Sequence, residues 1–285
     1  MYIIFLYLIC INNISYAQTP IDSTLFRYED TLKVLFNDAF QKDSIKFLKT
    51  DKEKTDINEK ILNVFQNALE YNNSFNYPFA SLKNIGILTS KNKLLKIYTW
   101  NLKFKNNEYK YYGFIQYYNK KENEYFLFNL TDYTPNIIAP EQAILNNSKW
   151  YGALYYDIIE IKLQGETYYT LLGWKGNNLL TNKKVIEILY ISNSGKIIFG
   201  KPIIKIENKT KKRIIFEYSI KTVMGLTYNE SMNMIIFDHL SPLNSSLKGQ
   251  YQYYGSDLTY DGLKFEKGVW QFYSNVTMPP IHHKK

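Results

Sequence analysis

Cysteine is nearly missing from this chain of 285 residues: the one thiol, Cys10, can support neither a disulfide framework nor a cysteine-based zinc site. Histidine is almost as scarce. There are three, and His282 and His283 stand in a polar C-terminal stretch with no third nearby, so no metal-ligand spacing results. Thirteen glycines and eight prolines are too few for collagen-like or linker-like sequence, and 45% hydrophobic residues exclude a disordered chain. Walker and dinucleotide fingerprints are also missing, so no cofactor is implied. Arginine is the least expected shortage, because only Arg27 and Arg213 occur and the other 33 of 35 basic residues are lysine. Phosphate recognition prefers the planar guanidinium fork. The formal charge of +9 therefore argues for solvated faces and against a nucleic-acid groove. The densest basic run, Lys209, Lys211, Lys212 and Arg213, reads as a hairpin tip.

No apolar run reaches the about 20 residues that a bilayer-spanning helix needs. The longest at the N-terminus is Ile3 to Ile11, followed by polar Asn12 and Asn13 and by small residues at Ser15 and Ala17. This pattern predicts an export signal over residues 1–17, with cleavage after Ala17 and Gln18 as the mature start. A lipoprotein reading at Cys10 is disfavoured, because bulky Ile9 stands where a small residue is needed. Export on these terms removes the lone thiol. The expected location is periplasmic or extracellular, with no transmembrane segment in the mature chain.

What the sequence has in quantity is tyrosine, 27 residues, and a change of hydrophobic period near residue 80. Before it, residues 18–80 show helical spacing twice: from Leu25 to Leu48, and from Ile57 to Tyr71 with Asp56 as a possible cap. The charged stretch Lys49 to Thr55 reads as the connection. After it, residues 81–285 alternate apolar and polar positions through about fourteen short segments. Asn106-Asn107, Gln164-Gly165, Asn193-Ser194-Gly195, Asp261-Gly262 and Lys267-Gly268 supply turn chemistry between them. The expected fold is α+β and predominantly antiparallel β: an N-terminal helical pair, then a long β-meander forming a sandwich or barrel-like sheet. A short helix is expected between Ala139 and Lys149, where Pro140 suits a first turn.

Chemistry-bearing residues gather in four clusters. Trp150 and Tyr151 precede Gly152, while Trp174, Asn177 and Asn178 surround Gly176; these five are the binding candidates, by aromatic stacking and amide hydrogen bonds. Asp238, His239, Asp257 and Asp261 are the acid and imidazole candidates for general acid–base work. Because Asp238 and His239 are adjacent, a strand would point them to opposite faces. Metal ligands are not expected.

Several of these stretches carry a resemblance. Ile97 to Asn101, Trp150 to Tyr156, Tyr168 to Asn178, Arg213 to Ser219, Ile236 to Pro242, Tyr254 to Asp257 and Tyr260 to Gly262 resemble a family of exported, uncharacterised proteins of Bacteroidota. The chain departs from it at Lys175 and Ser256. The resemblance implies a secreted or periplasmic product with a signal peptide and no assigned activity, and it transfers no catalytic residue. The expected function is a cell-envelope binding or interaction module, whose partner is an envelope component or a glycan. The competing expectation is a hydrolase acting on a glycan or peptide through the acid and imidazole candidates. A third is an envelope structural protein docking through its sheet edge or its helical pair, which an exposed stripe of Ile57, Ile61, Val64 and Leu69 would favour.

Overall fold

The computed structural model describes residues 22–40 and 49–277; the predicted export signal, residues 41–48 of the first helical segment, and His282 and His283 lie outside them. Asp22 opens the first helix. Its carboxylate accepts the backbone N–H groups of Thr24 and Leu25 at 2.9 and 3.2 Å, and α1 runs Ser23–Phe40. The second helix, α2 (Asp51–Glu70), begins before its apolar stripe does. Thr50 and Glu53 form a reciprocal capping box, so Asp56 is not the cap and most of the charged stretch is helix. Leu25, Leu32 and Phe36 of α1 share a core with Ile61, Phe65 and Ala68 of α2. Ile57, Ile61 and Leu69 are buried there and Val64 is half-buried, which counts against docking through the helical pair. No helix among the described residues is long and apolar enough to cross a membrane.

The strands sort into three sheets. β1 (Gly86–Thr89), β2 (Leu95–Lys103), β3 (Tyr109–Asn119) and β4 (Glu124–Thr131) form the first, an antiparallel meander in chain order. After it come β5 (Leu145–Asn146), β6 (Leu154–Leu163), β7 (Glu166–Gly176), β8 (Thr181–Ile191) and β9 (Ile197–Phe199). Next are β10 (Ile204–Ile206), β11 (Lys209–Lys211), β12 (Arg213–Ser219), β13 (Leu226–Asn229), β14 (Met234–Pro242), β15 (Tyr254–Glu266) and β16 (Val269–Tyr273). The second sheet has the order β5-β9-β8-β7-β6, with β12 pairing beside β8; the third runs β11-β10-β16-β15-β14-β13. Within the sheets only β10 and β16 pair in parallel.

Alternation explains the layering. On β2, Tyr98, Trp100 and Leu102 join the helical core, while Leu95 and Ile97 join a second core shared with Tyr169, Leu171, Val185 and Leu189 of the middle sheet. The opposite face of that sheet, Tyr168, Leu172, Ile186 and Ile188, meets Ile235, Phe237, Leu263 and Trp270 of the third. The result is a stack of helices, sheet, sheet and sheet. Strands covered on both faces read as almost continuous apolar runs, as β7 and β8 do. The chain is α+β and β-dominant, with the sandwich principle applied twice.

Four local expectations are corrected. Residues 139–149 hold no α-helix, only a single 3-10 turn at Asn147–Lys149: Arg213 donates to the Pro140 carbonyl, the Lys212 amide donates to that of Glu141, and Ala139 takes a φ of 48°, so the backbone around Pro140 is committed to its neighbours. Asp261-Gly262 is no turn but lies within β15, where the absent Cβ of Gly262 leaves room for Met234 Sδ, 2.5 Å from where that atom would stand. The tyrosine-rich stretch Gly249 to Tyr254 reads as one of the short alternating segments, but its Tyr251–Tyr253 is a 3-10 turn that leads into β15. The basic run is only partly a hairpin tip: Lys209 is exposed, but Arg213 is fully buried against Glu187.

Candidate functional site

A cleft of about 400 Å³ opens between the start of β3, the segment after β4 and the end of β7. Its wall carries Phe104, Glu108, Tyr109 and Lys110 on one side and Asp132, Thr134, Lys175 and Asn177 on the other. Two glycines shape it. A Cβ on Gly176 would lie 2.5 Å from the Tyr109 ring, so the missing side chain lets that ring settle over the strand end. Gly152 has a φ of 56°, and a Cβ there would lie 2.7 Å from the Asp132 carboxylate. Backbone and carboxylate can therefore approach closely.

The floor is tied down by charge. Asp132 accepts the amides of Tyr111 (3.1 Å) and Thr134 (3.0 Å) and the Thr134 hydroxyl (2.5 Å). Lys175 Nζ donates to the carbonyls of Gly152 (2.7 Å) and Tyr151 (3.1 Å) and to Thr134 Oγ1 (3.0 Å). It also lies 4.0 Å from the centre of the Tyr111 ring, close enough for a cation–π attraction. Burial lowers the Lys175 pKa to about 8, against the opposing pull of Asp132. All three ammonium donors have protein acceptors. The lysine is thus a framework group, while Tyr109, Glu108, Lys110 and Asn177 supply the side chains at the rim.

The five sequence candidates for binding separate at this cleft. Asn177 lines it, and its side-chain amide is held by Thr181 Oγ1 at 2.7 Å and Glu217 at 3.0 Å. Trp174 is half-buried and meets the Tyr109 ring edge-on at 5.8 Å. Tyr151 is buried and contributes its carbonyl to Lys175 from beneath. Trp150 is fully buried: its indole N–H donates to Tyr155 Oη at 2.9 Å, and that hydroxyl donates to Glu187 at 2.6 Å. Asn178 is exposed and caps the following turn by accepting the amides of Leu180 and Thr181. Trp150 and Asn178 are therefore structural, one in the core and one in a turn. Sequence reasoning passed over Tyr109, Asp132 and Lys175; the cue for the last was its place between Trp174 and Gly176, where alternation buries a lysine.

Elsewhere, β14 and β15 bring the acid and imidazole candidates together in part. His239 Nδ1 and Asp261 Oδ2 are 2.8 Å apart, although 22 residues separate them. The Asp261 hydrogen bond raises the His239 pKa above the ordinary imidazole value, and the charges of Asp261 and Asp257 act in the same direction. Asp257 accepts the amide and hydroxyl of Thr259, at 3.0 and 2.7 Å, which hold its own pKa low. Asp238 turns away and accepts the Gly225 amide at 2.7 Å. A bulge after Asp238 creates this arrangement, with β15 carrying three residues opposite His239 alone. None of the four lines the Lys175 cleft.

Among the described residues no three His, Cys, Asp or Glu side chains are grouped to hold a metal ion. In comparisons with known proteins, no family model, curated protein or solved structure matches the chain.

Proposed function

We propose that the protein is an exported, β-rich binding module of the cell envelope, and that the Lys175 cleft is where it takes a polar, glycan-like ligand. The observation that carries this reading is the division of labour in the cleft. Its ionised floor is saturated by internal hydrogen bonds, whereas its rim combines an aromatic face at Tyr109 with a carboxylate at Glu108, an ammonium at Lys110 and an amide at Asn177. A rigid polar site with an aromatic rim suits recognition, and its size falls within the range of about 300–1,000 Å³ usual for small-ligand sites. The export part of the proposal rests on the residue 1–17 pattern.

Calorimetric titration with soluble peptidoglycan fragments tests the reading. Binding is expected, and Tyr109→Ala should weaken it by at least tenfold while leaving the circular dichroism spectrum unchanged. Failure of the fragments to bind, or equal binding by Tyr109→Ala, would overturn it. The hydrolase reading keeps one specific support, the His239–Asp261 pair. Cleavage of a peptide or glycan substrate that disappears in His239→Ala would establish that reading instead.

A further inference from the structure

One end of the stack carries apolar side chains that the folded chain leaves uncovered. Three loops form it: residues 178–180 between β7 and β8, 220–225 between β12 and β13, and 243–253 between β14 and β15. They are joined to one another. The Ile220 amide donates to the Leu180 carbonyl at 2.9 Å, and β12 packs against the 3-10 turn at Tyr251–Tyr253. The Leu243 amide donates to Tyr253, and Thr222 Cγ2 lies 3.2 Å from where a Gly255 Cβ would stand. Across this end Leu179, Leu180, Ile220, Val223, Leu243, Tyr251 and Tyr253 are exposed, Val223 at 86% and Leu243 at 80%. Isolated exposed leucines are ordinary on protein surfaces, but seven apolar side chains on contiguous loop tips are not.

The charged side chains carried by the three loops have one sign. The three loops contain two exposed lysines, Lys221 and Lys248, and no carboxylate. The nearest acids on the adjoining strands are engaged: Asp238 with the Gly225 amide of the second loop, Asp257 with Thr259, and Glu217 with Asn177, Thr181 and Lys183. Leu258, on the neighbouring β15 bulge, is also exposed and holds a φ of 73°, a conformation leucine seldom adopts. Apolar tips flanked by lysine and tyrosine combine the two attractions that hold a protein at a lipid interface: burial of apolar side chains at the headgroup boundary, and the pull of anionic headgroups on ammonium groups. We infer that this end seats on an anionic lipid surface, inserting Leu179, Leu180, Val223 and Leu243 while Lys221 and Lys248 meet the headgroups. The inference does not depend on what the Lys175 cleft binds.

Sedimentation with vesicles of phosphatidylcholine alone, and of phosphatidylcholine mixed with phosphatidylglycerol, tests it on the chain from Gln18 onward, the form that the export reading gives. The protein should partition onto the mixed vesicles and be released by salt. The combined variant Leu179→Ser, Leu180→Ser, Val223→Ser, Leu243→Ser should weaken partition by more than tenfold, and Lys221→Gln with Lys248→Gln should weaken it by roughly fivefold per lysine. Both should melt with the parent protein. A polarity-sensitive fluorophore on the V223C variant of this form, which has no other thiol, should shift to the blue on mixed vesicles only. Tyr109→Ala should partition normally, which separates this result from that of the cleft. Equal partition on both vesicle types, unchanged partition of the two combined variants, or an unshifted fluorophore would overturn the inference. So would a stable dimer in size-exclusion chromatography that the leucine variant converts to monomer without altering sedimentation, since the patch would then be a contact between copies of the chain.

Discussion

The Lys175 cleft and the His239–Asp261 pair each set a basic side chain near an acid, in opposite settings. Lys175 is buried, its three donors are met by neutral oxygens, and its pKa falls because burial disfavours charge. His239 has a side chain 48% exposed, one carboxylate partner and a raised pKa. The first arrangement fixes backbone: Lys175 pins the Tyr151–Gly152 carbonyls beneath a cleft. The second fixes little, because one end of the pair remains in water. Burial, more than the identity of the charged groups, separates a framework charge from one that can exchange protons with its surroundings.

The sharpest contrast adds a third pair, Arg213 with Glu187, buried completely on both sides. Glu187→Gln would leave the guanidinium uncompensated, and a loss of about 3–5 kcal/mol is expected in urea unfolding. A loss below about 1 kcal/mol would show that water reaches this pair and would erase the distinction from His239. Gly152→Ala comes next. It meets both a left-handed backbone and the Asp132 carboxylate, so roughly 2–3 kcal/mol is expected, against about 1 kcal/mol for Gly165→Ala, which has a φ of 83° but open space around it.

Proton linkage gives a smaller effect with a definite sign. Burial brings the pKa of Lys96 and of Lys175 down to about 8, whereas lysine in an unfolded chain titrates near 10.5. The unfolded state binds more protons between those values, so stability rises with pH across that window. Above about pH 10 unfolded tyrosines ionise while buried Tyr98 and Tyr155, raised by burial, keep their protons, and the trend reverses. Urea unfolding at pH 9.5 should exceed that at pH 7.5 by on the order of 1–3 kcal/mol, and Lys175→Met should flatten the rise. A flat profile in the parent protein would place Lys175 in contact with water. The smallest effect is at His239. Its ring should titrate above the usual imidazole pKa by NMR, and Asp261→Asn should lower that value. The stability due to this pair is present below about pH 6.5 and fades as pH rises through the elevated pKa. An unmoved titration in Asp261→Asn would mean that the hydrogen bond is not what raises it.

Local signals were legible where local physics decides. Gln164-Gly165 and Lys267-Gly268 both take positive φ at their two positions and close hairpins, as their composition implies. The alternation of β2 to β4 and the apolar runs of β7 and β8 were equally plain. What could not be read was the partner. Asp261-Gly262 has the same turn chemistry as Lys267-Gly268, yet its glycine serves a contact with Met234 from a neighbouring strand. The stretch Lys49 to Thr55 looked like a linker because its helical signal is a capping box rather than an apolar stripe. At the candidate sites, adjacency already sent Asp238 and His239 to opposite strand faces, but the β15 bulge that pairs His239 with Asp261 could not be read. The cleft draws on three segments far apart in sequence, so only Asn177 and the rim contact of Trp174 were foreseen.

The middle sheet has no face of its own in water. Ile159, Ile161, Leu172, Ile186 and Ile188 are covered by the third sheet, of which the chain supplies only β10 and β11 before Leu226. As the chain emerges from its N-terminus, these five side chains are therefore all present before β13 to β16, the larger part of their lid, exist. Nascent chains that pause in that interval expose a β-rich adhesive surface, and a chain ending before Leu226 should collect as aggregate rather than as a smaller folded protein. The order in which sheets are made, as much as their final packing, sets how much help this protein needs to reach its native state.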